Sequence, residues 1–277
     1  MTPDEYCQQK AAASGSSFYY SFLYLPAERR RAITALYAFC REVDDVVDEC
    51  ADPQIAGAKL AWWRAEVANL YAGRPQHPVT RALAPAVQAF GVSAERLNEI
   101  IDGMEMDLTQ ARYLDWPGLE RYCYRVAGVV GLLAAGIFGY GNARTLDYAK
   151  DLGIAFQLTN IIRDVGEDAR KNRIYLPMSD LKEFGVPAAD ILQGRDSEAF
   201  RKLMAFEARR AREYYEKAFS ALPGPDRRAQ RPGLIMAAIY RALLAEIEAD
   251  GFPVLTRRTS LTPLRKFWIA WKTWISA

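Results

Sequence analysis

Two Asp-x-x-x-Asp motifs, Asp44-Asp45-Val46-Val47-Asp48 and Asp164-Val165-Gly166-Glu167-Asp168, stand far apart in a chain of 277 residues, each at the end of a segment with helical periodicity. At about 100° per residue, Ile33, Tyr37, Cys40 and Asp44 fall close to one line, with Asp48 beside them. On the second segment Gly153, Gln157, Asn160, Asp164 and Asp168 form a similar line through otherwise apolar sequence. Polar side chains on a face that should enter the core cost free energy unless something satisfies them. Carboxylates gathered around one cavity also repel one another unless a cation joins them. One such motif arises readily by chance, with Arg41 or Arg163 as a local partner. Two on inward faces, each preceded by an arginine, favour a shared divalent-cation site over ordinary helix electrostatics.

Nearly every segment reads with a helical period, and strand-like alternation is absent. Helices are expected over residues 26–50, 54–72, 78–90, 93–112, 116–140, 143–169, 196–221 and 229–250, with breaks at Asp52-Pro53, Gly73 to Pro78, Trp116-Pro117-Gly118, Pro187 and Pro223-Gly224-Pro225. No repeat, low-complexity segment or long linker divides the chain. The expectation is an all-α, single-domain helical bundle over residues 1–277, with hydrophobic residues at 51% supplying the core. The uncharged stretch from Val126 to Ala143 is borderline for a membrane span in length. Its glycines, Gly128, Gly131, Gly136, Gly139 and Gly141, fit better a buried helix wall that another helix or a long apolar ligand approaches closely.

A single histidine, His77, lies in the turn-like run Arg74-Pro75-Gln76-His77-Pro78 and removes His-Cys and His-His metal sites from consideration. Carboxylates without His or Cys suit Mg²⁺, which leaves coordination positions for substrate phosphates and water. Arg41, Arg163, Lys171 and Arg173 suit the remaining phosphate oxygens. An apolar cavity capped by Mg²⁺ and arginine would take an amphiphile with a diphosphate head and a hydrocarbon tail. Lys+Arg at 36 against Asp+Glu at 34 gives no global footprint for nucleic acid, and none is expected as a partner. Four cysteines without CxxC spacing and an N-terminus without an apolar signal region read as a cytoplasmic protein with reduced thiols.

With these motifs in place, the sequence resembles the squalene/phytoene synthase family of head-to-head prenyl transferases. The likeness rests on Ser17-Phe18-Tyr19, on Tyr37-Ala38-Phe39-Cys40-Arg41 leading into the first acidic motif, on Tyr122 to Gly131, on Gln157 to Asp164 with Asp168, and on Arg173-Ile174-Tyr175-Leu176-Pro177. It runs from about residue 14 to 260. Within the family, Ser16 to Phe22, Gly103 to Leu108 and Lys266 to Trp271 resemble the bacterial presqualene diphosphate synthases of hopanoid biosynthesis. The resemblance implies an isoprenoid-synthase bundle with a central cavity in which Asp44, Asp48, Asp164 and Asp168, with Asn160 and Gln157 beside the second motif, bind two or three Mg²⁺ ions and diphosphate. It places Ser17, Tyr37, Arg41, Tyr240 and Arg257 on diphosphate, with Tyr37 and Arg41 also counted as catalytic. Tyr122 falls near the reacting carbons, and Gly15 departs from relatives that carry serine there.

The implied reaction is Mg²⁺-dependent condensation of two farnesyl diphosphates to presqualene diphosphate, in squalene and hopanoid synthesis. Phe18 and Tyr19 would offer aromatic faces to positive charge, and either Tyr122 or the released diphosphate would take the proton. No NADPH is expected. Squalene or dehydrosqualene synthase activity, phytoene synthase activity on C20 substrates, and a non-catalytic assembly role remain as alternatives. The C-terminal run 263–277, with Leu264, Phe267, Trp268, Trp271 and Ile275 at helical spacing beside Arg265, Lys266 and Lys272, reads equally as an interfacial membrane helix or as a packing helix. The first would make the protein peripheral on the inner face of the cytoplasmic membrane, near downstream pathway enzymes.

Overall fold

Each of the eight expected stretches is helical in the computed structural model, which describes residues 1–13, 21–22, 25–50 and 52–276. They become α2 (Ala27–Glu49), α3 (Pro53–Tyr71), α4 (Pro78–Phe90), α5 (Ala94–Thr109), the continuous pair α6 (Trp116–Cys123) and α7 (Val129–Phe138), α8 (Arg144–Arg170), α11 (Glu198–Ala221) and α12 (Arg231–Ala249). Beyond these, the described residues include α1 (Pro3–Ala13), the short α9 (Met178–Glu183) and α10 (Ala188–Leu192), and α13 (Pro263–Ser276). Among the described residues there is no β-strand, only one isolated bridge between Arg112 and Ile174.

The punctuation works through capping. Asp52 accepts from the N–H of Gln54 with Pro53 in the first turn of α3, Asp115 accepts from Gly118 at the start of α6, and Ser197 accepts from Phe200 at the start of α11. Each satisfies a donor that a helix leaves orphaned at its N-terminus. The lone histidine proves to be another cap: His77 Nδ1 accepts from the N–H of Val79, and its ring packs edge-on against Tyr6, Trp62 and Trp63. It is part of the scaffold.

Two apolar clusters make up the interior. One gathers α1 to α5 with Val129, Leu133, Ile137 and Phe138 of α7; the other surrounds α8 with α6, α11 and α12. Tyr124 and Val126 pack against both. These two residues belong to a wider π-helical turn, Tyr124–Gly128, that joins α6 to α7. In a regular α-helix every fourth residue drifts by about 40°. A turn closed by i→i+5 bonds reverses part of that drift. It keeps Tyr122, Val126, Val130, Ala134 and Phe138 on one face along the whole α6–α7 rod.

Trp116–Phe138 is long and apolar enough to cross a bilayer, but half of its apolar window is buried inside the fold against α8 and the neighbouring helices. Its glycines permit this. A Cβ on Gly131 would fall 2.2 Å from the carbonyl oxygen of Ala149, and one on Gly153 would fall 2.3 Å from that of Ala127. Backbone meets backbone here, so no side-chain rotation relieves the clash. Gly153→Ala is therefore expected to lower stability by about 1–3 kcal/mol through overpacking, read as a fall in the urea midpoint at unchanged m. An unchanged midpoint would show that the two helices can part without cost.

Candidate active site

The two acidic helices, the α6–α7 rod and α12 enclose a cavity of about 220 Å³. Helix α2 contributes Ile33, Tyr37, Cys40 and Asp44 from the expected line, with Leu36 and Arg41 beside them, while Asp48 lies beyond the lining. Helix α8 contributes Gly153, Gln157 and Asn160 from its expected line together with Phe156, with Asp164 and Asp168 beyond the lining, and α12 contributes Met236 and Tyr240. At one end lie Asp44, Asn160, Tyr122 and Tyr240. At the other, Phe138, Tyr148, Gln230 and Gly233 close an apolar pocket, where the Gln230 amide donates to the carbonyl oxygens of Gly139 (2.9 Å) and Ala135 (3.3 Å).

The acidic end is stitched by cations from several elements. Arg41 reaches Asp44 and Asp45, each at 2.6 Å, and Lys10 of α1 holds Asp45 from the other side at 2.8 Å. Asp48 is met by Lys171 at 3.4 Å and Arg173 at 3.3 Å, so the end of α2 is tied to the segment that follows α8. Arg163 donates its Nε to Asp164 at 2.7 Å, and Arg258 reaches the same carboxylate at 2.8 Å. Arg258 follows the turn Pro253–Leu255, whose carbonyls lie so close to Gly166 that a Cβ there would sit 2.5 Å from two of them. The glycine inside the second acidic motif thus brings a distant arginine onto its first aspartate.

Burial dominates the titration of Asp44 and Asp168. It pushes Asp44 up to about 6 despite Arg41, and Asp168 up to about 7 with the Asp164 charge adding to it. Asp164 differs: Arg163 and Arg258 together outweigh burial and hold it below the ordinary carboxylate range.

Asp107 of α5 was not among the expected site residues, yet it lies at the centre. Its carboxylate accepts from the hydroxyls of Tyr122 and Tyr175, both at 2.9 Å, and burial pushes it up to about 6 against the pull of Arg173 and the two phenols. The rings of Tyr122 and Tyr175 stack at 5.2 Å, with Tyr113 beside both. Pairing of residues 111–114 with 174–179 holds this cluster: Ile174 donates to the Ala111 carbonyl and Met178 to that of Tyr113. Asn172, at φ 56, makes the turn that sends Arg173 back toward Asp48. The signal for Asp107 was present in the sequence, since it continues the inward line of Leu97, Ile100, Ile101 and Met104.

Tyr37, Arg41, Asp44, Tyr122, Gln157, Asn160 and Tyr240 are brought together around the cavity, with Asp48, Arg163, Asp164, Asp168 and Arg173 at its acidic end. Arg257 is not brought there. Its side chain turns outward onto Asp250, and the adjacent Arg258 takes the place at Asp164. Ser17, Phe18 and Tyr19 lie outside the described residues. Cys40 faces the cavity, and all four cysteines are unbridged.

Among the described residues no three His, Cys, Asp or Glu side chains form a ready cation cage. A Mg²⁺ ion that takes one or two carboxylates and completes its shell with phosphate and water does not need one. The donor set suits such an ion: Asn160 Oδ1 is buried with no hydrogen-bond partner, and nearby acids are held in a setting where ionisation is costly until positive charge arrives.

Residues 11–265 match the family model of squalene/phytoene synthase. The chain is 35% identical to the 15-cis-phytoene synthase of Synechocystis sp., over 99% of this chain and 85% of that protein. Among solved structures, a dehydrosqualene synthase superposes with TM-score 0.86 at 29% identity, covering 98% of this chain and 95% of the other. A squalene synthase from Alicyclobacillus acidocaldarius superposes with TM-score 0.80 at 29% identity, covering 90% and 94%. The fold is the all-α fold of these synthases.

The buried acids fix the pH dependence of stability. Between the ordinary carboxylate value of 3.8 and their raised values, Asp44, Asp107 and Asp168 bind protons in the folded chain that the unfolded chain has released. Their contribution to stability therefore declines as pH rises from about 4 through about 7. His77, held below its ordinary value by burial, works in the opposite sense. Without added metal, Asp168→Asn is expected to raise the melting temperature at about pH 8 and to leave it nearly unchanged at about pH 4. A lower melting temperature at about pH 8 would contradict this electrostatic account.

Proposed function

Because the chain belongs to the squalene/phytoene synthase family, we propose that it condenses two farnesyl diphosphates head to head into presqualene diphosphate, releasing diphosphate, as a step in squalene and hopanoid synthesis. The observation that carries the proposal is an apolar cavity with acids and arginines concentrated at one end. Such a cavity matches a substrate whose charge is all in its head and whose tail is hydrocarbon. A second reading, condensation of two C20 diphosphates to phytoene, is favoured by the 35% identity to a phytoene synthase. The two differ in how much tail must fit between the acidic end and the floor formed by Tyr148, Gln230 and Gly233.

Arg41, Arg163, Arg173 and Arg258 are the groups to meet diphosphate oxygens, and Asp44, Asp48, Asp164, Asp168 and Asn160 are those to hold two or three Mg²⁺ ions. When bound there, Mg²⁺ would supply the positive charge that favours departure of diphosphate, the electrons of the allylic C–O bond going to oxygen. The apolar walls from Val126 to Phe138 keep water from the cation that results. The double bond of the second substrate supplies the electrons for the new C–C bond, and loss of one proton closes the cyclopropane. The hydroxyl of Tyr122 borders the cavity and already donates to Asp107. It can therefore take a substrate proton while passing its own to that carboxylate. The product keeps one diphosphate and is formed without a reductant, so no NADPH is required.

Purified protein incubated with farnesyl or geranylgeranyl diphosphate and Mg²⁺, with and without NADPH, is expected to give presqualene diphosphate from the C15 substrate under both conditions. Phytoene from the C20 substrate alone would establish the second reading, and squalene only with NADPH would add a reductive step. Asp44→Asn and Asp164→Asn are expected to abolish product while the circular dichroism spectrum is retained; full activity in both would sink the site assignment. Tyr122→Phe and Asp107→Asn are each expected to lower kcat by about 10²-fold, the usual worth of a positioned acid–base group. A normal rate in both variants would leave the proton to the released diphosphate.

A further inference from the structure

The C-terminal run, which the sequence left between packing and membrane contact, has two distinct faces. Ala270 is buried, and Ile269 and Trp274 pack on the core, with Arg231 stacked over Trp274 at 4.9 Å. This is the packing face of α13, and it is seated on α12. Leu264, Phe267, Trp268, Trp271 and Ile275 do not take part. They are 84, 50, 59, 43 and 62% exposed, and at helical spacing (264, 267/268, 271, 275) they form one outward apolar stripe. The rings of Trp268 and Trp271 touch each other at 5.1 Å.

The charged residues of α13 itself, Arg265, Lys266 and Lys272, are all basic, with no acid from Pro263 to Ser276. Arg265 reaches back to Glu246, and Arg257 and Arg258 before the helix are paired with Asp250 and Asp164, so the excess positive charge beside the stripe comes from Lys266 and Lys272. In a two-fold dimer formed through this stripe, the basic rim would be set against its own copy, which opposes association. A surface that offers negative headgroups above an apolar layer complements both features, and tryptophan is suited to that boundary. The first turn of α13 also adjoins the active site. Lys266 lies near enough to Arg163 and Arg258, the two arginines on Asp164, for their charges to add to burial in holding its amine below the ordinary value.

We propose that α13 is an interfacial helix that docks the protein on an anionic lipid surface, with Phe267, Trp268 and Trp271 inserted at the boundary of headgroups and acyl chains. Docking in this way brings the acidic end of the cavity close to the lipid. The benefit, release of a long hydrocarbon product without passage through water, rests on the function proposed above. The docking itself does not, and can be tested without substrate.

The full chain is mixed with vesicles of phosphatidylglycerol and phosphatidylcholine, or of phosphatidylcholine alone, and sedimented at low and high salt. Binding is expected to the anionic vesicles, weakened by salt and by Lys272→Glu, and reduced at least about tenfold by the combined Phe267→Ser, Trp268→Ser and Trp271→Ser variant. Brominated acyl chains are expected to quench tryptophan fluorescence of the parent protein far more than that of the variant. Since the substituted side chains face outward, the variant is expected to keep the parent melting temperature and its turnover of detergent-dispersed substrate. Failure of the parent to sediment with anionic vesicles, or equal sedimentation of the variant, would overturn the proposal. So would a dimer in light scattering that the same substitutions convert to monomer.

Discussion

Carboxylates placed where ionisation is expensive are the constraint that organises this protein. A buried acid must find positive charge or take up a proton. Around the acidic end of the cavity the chain meets that demand from many directions: Arg41 from within α2, Lys10 from α1, Lys171 and Arg173 from the segment after α8, and Arg258 from the segment before α13. Arg41 acts within its own helix, while each of the other pairs ties two elements together at the acidic end. The same arginines suit diphosphate, and the same acids suit a divalent cation. In the proposed reaction, the resting ion pairs are thus partners that two ligands can separate, each taking one member.

The apolar half of the site depends on close approach of backbones. Gly131 and Gly153 let the α6–α7 rod lie against α8, and the π turn keeps one face of that rod on the cavity over its full length. The result is a wall of small and branched side chains at the tail end, continuous with Tyr122 at the head end. Position along one helix thereby converts into position along the substrate, which is what head-to-head joining of two extended chains demands.

Long amphipathic helices were legible in the sequence because burial writes a 3.6-residue period into them, and the inward aspartates stood out as violations of it. Helix α1 was not seen, since it is polar over most of its surface and buries only Cys7. Helices α9 and α10 span six and five residues, too few to show a period, and exist through packing. Arg258 was missed in favour of its neighbour Arg257 because an irregular segment has no period to tell which of two arginines points inward; the approach of the Pro253–Leu255 turn to Gly166 decides it. Asp107 escaped for another reason. Its helix carries one inward acid rather than two, so there was no repeated motif to raise it above chance.

Buried acids outside the cavity show what separates a site from a scaffold. Glu66 accepts from the N–H groups of Gln76 and His77 and from Thr80, and Asp226 accepts from Gly141, Asn142 and Thr145. Both are held below the ordinary range by these bonds, so ionisation costs them little and they act as fixed anchors for turns. Asp44, Asp107 and Asp168 are displaced the other way. An upward displacement is not sufficient by itself: Glu207 is pushed up to about 7 by burial although it pairs with Arg210. That residue, however, faces Asp180, and Arg210 is stacked on Trp116 and Phe206, away from the cavity. The acids marked for chemistry are those in which costly ionisation coincides with a place for a ligand, and among the described residues several such acids converge around the cavity between α2 and α8.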